Sequence, residues 1–383
     1  MDIKSKAIIP YRITLARESR GYSQKDLADL MDMSKQAINR YENGNMSPSD
    51  TALLKISQIL NYPISFFEKG CPADNLTSGQ VFFRSRRTTK VSEKKAACAK
   101  IMIFKEIADY FERYLEFPKL NLPQVKYHDL NEELNRSDIE EYAMELRKCW
   151  DLGSGPIPNL INVVQKNGIM VSTMKIGYSK IDAFSVFKDG RPYIFLSGDK
   201  ESNAKIRFSI AHELGHMLMH SDLISEDDLD KNVIDTKLEE EANIFAAAFL
   251  LPRETFSRDV TSSSIDHFVR LKGKWLASIG SMIYRCDDLG LLTENQIRYL
   301  KSQMTSNRYW RKEPLDDKIQ IEKPFIFRQA VELLLDSFTV TRSQLVTDIG
   351  CRADEIEKYC FLEEGTLKEK TPNNIIKLKD IVG

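Results

Sequence analysis

The chain has 383 residues and a formal net charge of -1; 42% of its residues are hydrophobic and 29% are charged. This composition is typical of a soluble globular protein, and the net charge does not indicate a class of partner, so any attraction to nucleic acid must come from local charge. The six cysteines include no C-x-x-C pair and no tight spacing, which excludes a disulfide scaffold or a zinc knuckle. Because one compact core rarely holds so many residues, we expect two or three domains.

The amino terminus gives no indication of export or membrane insertion. The opening residues lack the apolar core of a signal peptide, and no window approaches 18 uncharged apolar residues. We therefore expect a cytoplasmic protein without a membrane partner.

Residues 12–68 contain a series of short helical segments separated by turn residues. Gly21 and Gly44 lie where helices are expected to stop. The predicted N-cap residues are Ser23, Ser34 and Ser47. This pattern predicts a compact bundle of about five helices.

Two of these segments have the arrangement of a helix-turn-helix, with "SQKDLADLM" as the first helix, "DMS" as the turn and "SKQAINRYE" as the second helix. In such a unit the second helix lies in the major groove of DNA, where its outward side chains reach base edges and phosphates. The expected partner is double-stranded DNA. The predicted contacts are Gln24, Lys35, Gln36, Asn39 and Arg40.

Residues 12–67 resemble the XRE family of lambda-repressor and Cro-like domains, through "LARESRGYSQKDLA", "INRYENG" and "ISFF" in that order. Asp32 stands where the family usually has glycine, and aspartate tolerates the left-handed backbone that the turn requires. Such domains usually read palindromes as dimers, so the resemblance favours a homodimer. The alternative is a helical bundle used only for dimerisation or protein contact.

A basic run follows the bundle, between residues 81 and 105. The run has two interpretations, a solvated helical face or a phosphate contact beside the first domain. Its cationic residues are Arg84, Arg86, Arg87, Lys90, Lys94, Lys95, Lys100 and Lys105.

The middle of the chain changes from helical to strand patterns and back. Three strand-like runs, "GIMVSTMKI", "DAFSVFK" and "RPYIFLS", follow a helix, and Asp189-Gly190 predicts a short hairpin between the last two runs. The segment "RFSIAHELGHMLMHS" and the segment "LEEEANIFAAAFL" then predict helices, and the remaining third of the chain is helical in pattern.

The motif "HELGH" predicts a zinc site. His212 and His216 lie one helical turn apart on one face, where two imidazoles can bind one zinc ion. Glu213 lies about 100° round the helix, so it can accept a proton from a metal-bound water rather than bind the metal. A buried histidine pair without a metal would need other polar partners.

The third zinc ligand must come from outside this helix. If the helix continues, His220 lies about 12 Å beyond His212 along the axis, too far for one ion, so we expect it to support a ligand or to lie at the surface. In "LEEEANIFAAAFLLP" Glu239 fits best, because it shares a face of small residues that permits close helix contact. Glu241 is the alternative, and Glu240 is expected to face solvent.

Two segments, "RFSIAHELGHMLMH" and "EEEANIFAAAFLLP", resemble the ImmA/IrrE family of zinc metallopeptidases, and the likeness extends over roughly residues 140–315. The resemblance implies that His212 and His216 are zinc ligands, that Glu213 is the catalytic base and that Glu239 is the third ligand. The known targets of the family include repressors with XRE-type domains.

The predicted fold class is mainly α, α+β: an all-α helix-turn-helix bundle, then a zincin-like metallopeptidase domain with a small β-sheet, then a helical carboxy-terminal region. The predicted domains are residues 1–70 for DNA binding, 71–139 for a basic linker and helical connector, 140–255 for the metallopeptidase core and 256–383 for the carboxy-terminal helices.

These features predict a DNA-binding transcriptional regulator fused to a zinc-dependent endopeptidase that cleaves a protein substrate. The expected substrate is a repressor that regulates stress, phage or mobile-element genes. One alternative is a transcription factor whose peptidase-like domain is a sensor or a structural metal site without proteolysis. Another is an interaction module that does not bind DNA.

Overall fold

Helices dominate the computed structural model, which describes residues 7–70, 91–124, 134–174, 183–188, 190–197, 202–220 and 232–369. These ranges contain seventeen helices and one three-stranded sheet, which confirms the mainly α, α+β class. The elements are α1 Pro10–Ser19, α2 Gln24–Met31, α3 Lys35–Glu42, α4 Asp50–Leu60, α5 Ile64–Glu68, α6 Val91–Glu112, α7 Arg136–Cys149, α8 Leu160–Lys166, β1 Met170–Met174, β2 Ala183–Lys188, β3 Arg191–Ser197, α9 Asn203–Met219, α10 Asn232–Leu250, α11 Arg253–Asp259, α12 Ile265–Trp275, α13 Ile279–Asp288, α14 Glu294–Ser306, α15 Ile326–Asp336, α16 Arg342–Ile349 and α17 Ala353–Cys360.

The chain forms two compact units. The first unit comprises Met1–Asp74, Ala99–Leu115 and Phe325–Gly383, and the second comprises Asn75–Cys98 and Glu116–Pro324. Across the described ranges no helix is long and apolar enough to cross a membrane.

The predicted bundle of five helices, α1 to α5, is confirmed in the first unit. Ser23 and Ser34 cap α2 and α3 as predicted, by accepting hydrogen bonds from the backbone N–H groups of Asp26 and Ala37. The prediction for Ser47 is wrong. Helix α4 starts later because the Ser49 hydroxyl accepts from a first-turn N–H and Asp50 adds a favourable charge there.

Three carboxy-terminal helices, α15 to α17, belong to the same unit as the bundle. The carboxylate of Glu355 accepts hydrogen bonds from both terminal nitrogens of Arg20, at 2.8 and 2.9 Å. The ring of Phe104 lies 4.9 Å from that of Phe327. These contacts join segments more than 200 residues apart, which local sequence patterns do not predict.

In the second unit the strand order is β1-β3-β2, with β1 parallel and β2 antiparallel to β3. Lys188 pairs with Arg191, and Gly190 has a φ of 75°, so the predicted hairpin between β2 and β3 is confirmed. The sheet presents β2 to α9, which carries "HELGH".

Helices α9 and α10 pack closely where Gly215 of α9 faces Phe245 of α10. A Cβ atom at Gly215 would lie 3.0 Å from the Phe245 ring, so the glycine lets the two helices approach. One stripe of apolar residues along α10 is buried throughout: Leu238, Ala242, Phe245 and Phe249. This approach brings Glu239 of α10 to the histidines of α9.

The basic run between residues 81 and 105 is described only in part. Arg84, Arg86, Arg87 and Lys90 lie outside the described residues. Further along, the Lys105 ammonium donates to Asp109 at 2.7 Å, and burial lowers the pKa of Lys100. The phosphate-contact interpretation of this run stays a prediction.

Candidate metal centre and nucleic-acid interface

The two histidines of "HELGH" face each other at the surface of α9 that meets α10. The Nε2 atoms of His212 and His216 lie 3.0 Å apart. Their side chains are only 15% and 7% exposed, so water screens the pair poorly. The four-residue spacing on a helix produces this geometry, as the sequence predicts.

The three adjacent glutamates of α10 point in three directions. Glu239 brings one carboxylate oxygen to 3.4 Å from Nε2 of His212 and the other to 3.8 Å from Nε2 of His216. Glu240 is exposed as expected, whereas Glu241 is buried and contacts His220 at 2.9 Å. The helix therefore presents Glu239, rather than the alternative Glu241, to both histidines.

This donor set fits a zinc ion. The ligand atoms of His212, His216 and Glu239 all lie within 4.8 Å of one another. The Nδ1 atom of His212 lies 3.0 Å from Oδ1 of Asn243, an acceptor, which assigns the ring hydrogen to Nδ1 and leaves Nε2 with a lone pair. Lone pairs and a carboxylate converging at such short range repel one another, and a cation removes that repulsion. Two imidazoles and one carboxylate are a preferred set for zinc.

Glu213 lies beside this cluster and is held by the sheet. Its side chain is buried, with 4% of the residue exposed, and the hydroxyl of Ser185 in β2 donates to its Oε2 at 2.6 Å. Sequence reasoning missed Ser185. The available signal was a serine at an inward position of an otherwise apolar strand, where a hydroxyl needs a partner.

His220 follows the last residue of α9 and is almost fully buried, with 1% exposed, so the surface interpretation is wrong. Its Nδ1 lies 2.7 Å from Nδ1 of His216. The other ring nitrogen of His216, Nε2, is the one that faces Glu239. His220 thus contacts a predicted ligand without joining the ligand cluster.

The helix-turn-helix leaves the predicted reading surface of α3 open. Ile38 and Tyr41 are buried in the bundle. The side chains on the opposite face are exposed: Lys35, Gln36, Asn39 and Arg40. The amide of Asn39 accepts a hydrogen bond from Asn43 at 3.0 Å, which restrains its rotation.

The fifth predicted DNA contact, Gln24, is less exposed than the other four. Its amide donates to Glu42 at 2.7 Å, and Arg17 donates to the same carboxylate. These bonds tie the first turn of α2 to the end of α3.

The turn between α2 and α3 uses the backbone conformation expected of it. Asp32 adopts a φ of 55° and a ψ of 44°, the left-handed region. The ammonium of Lys55 lies 3.0 Å from the Asp32 carboxylate and donates to the carbonyl of Met31 at 2.8 Å. Aspartate therefore serves where glycine is usual, and the lysine supports the turn.

Comparisons with known families agree with both resemblances. Residues 13–67 match the model of the helix-turn-helix family, and residues 164–287 match that of the IrrE N-terminal-like domain, a peptidase family. The chain carries both domains.

The curated relatives match short stretches of this chain. An uncharacterized HTH-type transcriptional regulator of Sinorhizobium medicae is 40% identical over 68 residues, which is 18% of this chain and 49% of the relative. The SPbeta prophage-derived uncharacterized HTH-type transcriptional regulator YonR of Bacillus subtilis is 37% identical over 62 residues, 16% of this chain and 57% of the relative. The chain thus spans about half the length of these relatives.

Among solved structures, a Mycobacterium tuberculosis transcriptional regulator is similar with a TM-score of 0.30 and 17% identity, over 48% of this chain and 51% of that chain.

Proposed function

We propose that this chain is a DNA-binding transcriptional regulator and a zinc-dependent endopeptidase that cleaves a repressor protein. The observation that carries the proposal is the cluster of His212, His216 and Glu239 beside a buried glutamate, Glu213, which a hydroxyl holds at 2.6 Å. The matched peptidase family and the exposed face of α3 support the two halves of the proposal.

His212, His216 and Glu239 hold the zinc ion. In the part of the chain that the structure describes, these three form the one group of His, Cys, Asp or Glu side chains whose ligand atoms all lie within 4.8 Å of one another. Three protein ligands are typical of catalytic rather than structural zinc sites. When bound, zinc supplies Lewis-acid chemistry, lowering the pKa of water and polarising a peptide carbonyl.

Glu213 moves the proton. One of its carboxylate oxygens accepts from Ser185, which restricts rotation of the carboxylate and leaves the other oxygen to take a proton from the attacking water. The same carboxylate then returns that proton to the amine that departs from the cleaved peptide bond. Burial of Glu213 excludes bulk water that would compete for the proton.

The substrate binds as an extended strand. Among the three described strands, β2 pairs only with β3, and β2 carries Ser185 next to Glu213. A peptide that adds to the other edge of β2 gains main-chain hydrogen bonds close to the proton-accepting carboxylate.

The helix-turn-helix binds duplex DNA through α3. Gln36 and Asn39 read base edges, and Lys35 and Arg40 contact phosphates or bases. A homodimer places two such helices on half-sites about one helical turn apart.

The test compares the full chain with Glu213→Gln, which removes the proton acceptor and keeps the ligands. We expect both proteins to hold about one zinc per chain, and only the wild type to cleave its substrate. The probes are purified XRE-type repressors from the same genome and β-casein as an unfolded protein, followed by mass spectrometry. The exposed Glu240→Gln serves as the control.

Equal cleavage by Glu213→Gln and wild type would overturn the assignment of the base. Zinc binding without hydrolysis of any probe by the wild type would support a sensor or structural metal domain in place of a peptidase.

A further inference from the structure

Three buried side chains form a hydrogen-bonded series behind the proposed zinc ligand His216. Nδ1 of His216 lies 2.7 Å from Nδ1 of His220, and Nε2 of His220 lies 2.9 Å from Oε2 of Glu241. The residues are 7%, 1% and 6% exposed, so the structure rather than solvent fixes their partners. The ammonium of Lys237 lies 4.0 Å from the other oxygen of Glu241 and places a positive charge beside this carboxylate.

Hydrogen counting assigns the direction of each bond. An ionised carboxylate only accepts, so Nε2 of His220 carries the hydrogen that is donated to Glu241. Nδ1 of a neutral His220 then has a lone pair, and it accepts the hydrogen on Nδ1 of His216. Nε2 of His216 is left with a lone pair that faces His212 and Glu239.

We propose that His220 and Glu241 are positioning residues that select the tautomer and the ring orientation of His216 for zinc. This inference rests on the proposed zinc site. The proposal concerns which nitrogen of a neutral imidazole carries its hydrogen, and it assigns neither residue a contact with substrate or metal.

In the two proposed ligand histidines, different partners contact Nδ1. His212 is held directly by Asn243 at 3.0 Å, on the face of α10 that contacts α9. His216 lies deeper, and a second imidazole bridges the distance to a carboxylate on α10. In both histidines the Nε2 lone pair is thereby directed toward the proposed zinc position.

Burial alone does not explain why polar side chains, His220 and Glu241, occupy these positions. Both ring nitrogens of His220 lie within hydrogen-bond distance of partners, so the ring has a fixed tautomer as well as a fixed position. A purely space-filling role would be met by an apolar side chain, which avoids the cost of burying an imidazole and a carboxylate.

The first test is zinc affinity of the full chain, measured by competition with a chromophoric chelator. We expect His220→Ala and Glu241→Ala to weaken zinc binding about 10- to 100-fold, the usual cost of losing a partner behind a metal ligand. Glu241→Gln should recover most of the affinity, since its amide oxygen also accepts from Nε2–H. Glu240→Gln is the matched control and should bind like the wild type, and Glu239→Ala should lose the site.

The second test is the tautomer itself, read from ¹⁵N–¹H correlations of the histidine rings in the zinc-loaded full chain. The sequence has only five histidines, so the signals can be assigned by substitution. We expect the hydrogen on Nε2 of His220 and on Nδ1 of His216. The opposite tautomer of His220 would overturn the proposal even if an alanine variant does not fold.

The outcomes separate this inference from the proposed function. A wild type that binds no zinc contradicts the proposed function. A wild type that binds zinc, with unchanged affinity in His220→Ala and Glu241→Ala, contradicts the positioning role alone.

Discussion

Single polar atoms decide how the "HELGH" segment is held. Asn243 fixes one histidine ring from α10, and Ser185 fixes the Glu213 carboxylate from β2. Each supporting group comes from a different element, so the geometry of the cluster depends on the packing of α9 against both a helix and a strand.

Ser185→Ala tests the role of the hydroxyl that holds Glu213. Loss of one hydrogen bond to a charged group costs about 1.5–3 kcal/mol, so we expect the rate of cleavage to fall roughly 10- to 150-fold with zinc content unchanged. Steady-state kinetics with metal analysis checks this. Ser172→Ala, at a buried serine of β1, is the control. A variant that cleaves at the wild-type rate would remove Ser185 from the mechanism.

The sequence predicts the part of the cluster that depends on local spacing. Four-residue spacing on a helix brings His212 and His216 together, and a face of small residues favours Glu239 over its neighbours. The bonds of Ser185 and His220 span 28 and 21 residues and depend on how elements pack, so they do not follow from spacing.

At the scale of elements, one carboxylate on α7 joins three helices of the second unit. Glu140 accepts hydrogen bonds from Arg253 at the start of α11 and from Arg285 in α13. Burial raises the pKa of Glu140, but the hydrogen bonds and charges of the two arginines outweigh it and hold the pKa below its usual value.

Because the folded pKa is lowered, Glu140 stabilises the fold above the unfolded pKa of about 4.3, and this contribution is lost as the pH falls through the folded pKa. We expect Glu140→Gln to lower the free energy of unfolding by about 1–3 kcal/mol at pH 7 and by less near pH 3. Denaturant titrations at several pH values measure this difference.

Glu254→Gln is the matched control, because the ion pair of Glu254 with Arg258 is exposed and should contribute little. A constant difference between wild type and Glu140→Gln at all pH values would contradict the assigned role of the Glu140 charge.

A capping serine predicts the start of a helix where it is the only candidate, but not where two candidate serines lie close together. Ser23 and Ser34 cap their helices, whereas Ser47 loses to Ser49 two residues later. Both serines flank a proline, and only the helix start in the folded bundle distinguishes them.

At the scale of the whole molecule, the two proposed sites lie in different units. The predicted DNA contacts lie in the first unit, and the cluster of His212, His216 and Glu239 lies in the second. The sequence predicts this division from two separate motifs. It does not predict that α15 to α17 join the helix-turn-helix unit, since the bond between Arg20 and Glu355 spans 335 positions.

Separate units predict separable activities. Gln36→Ala or Asn39→Ala removes one base contact and should weaken specific DNA binding by about 1–3 kcal/mol, roughly 5- to 150-fold, without changing cleavage. Gel shifts with operator and non-specific duplexes, beside a cleavage assay, measure both. Loss of cleavage in these variants, or unchanged operator binding, would contradict the independence of the two activities.

The most direct test of the central claim is anomalous diffraction at the zinc edge from crystals of the zinc-loaded full chain. We expect one peak in the peptidase domain, about 2.0–2.2 Å from Nε2 of His212, Nε2 of His216 and a carboxylate oxygen of Glu239. A zinc ion bound instead by His220 or Glu241, or no peak at the cluster, would contradict it.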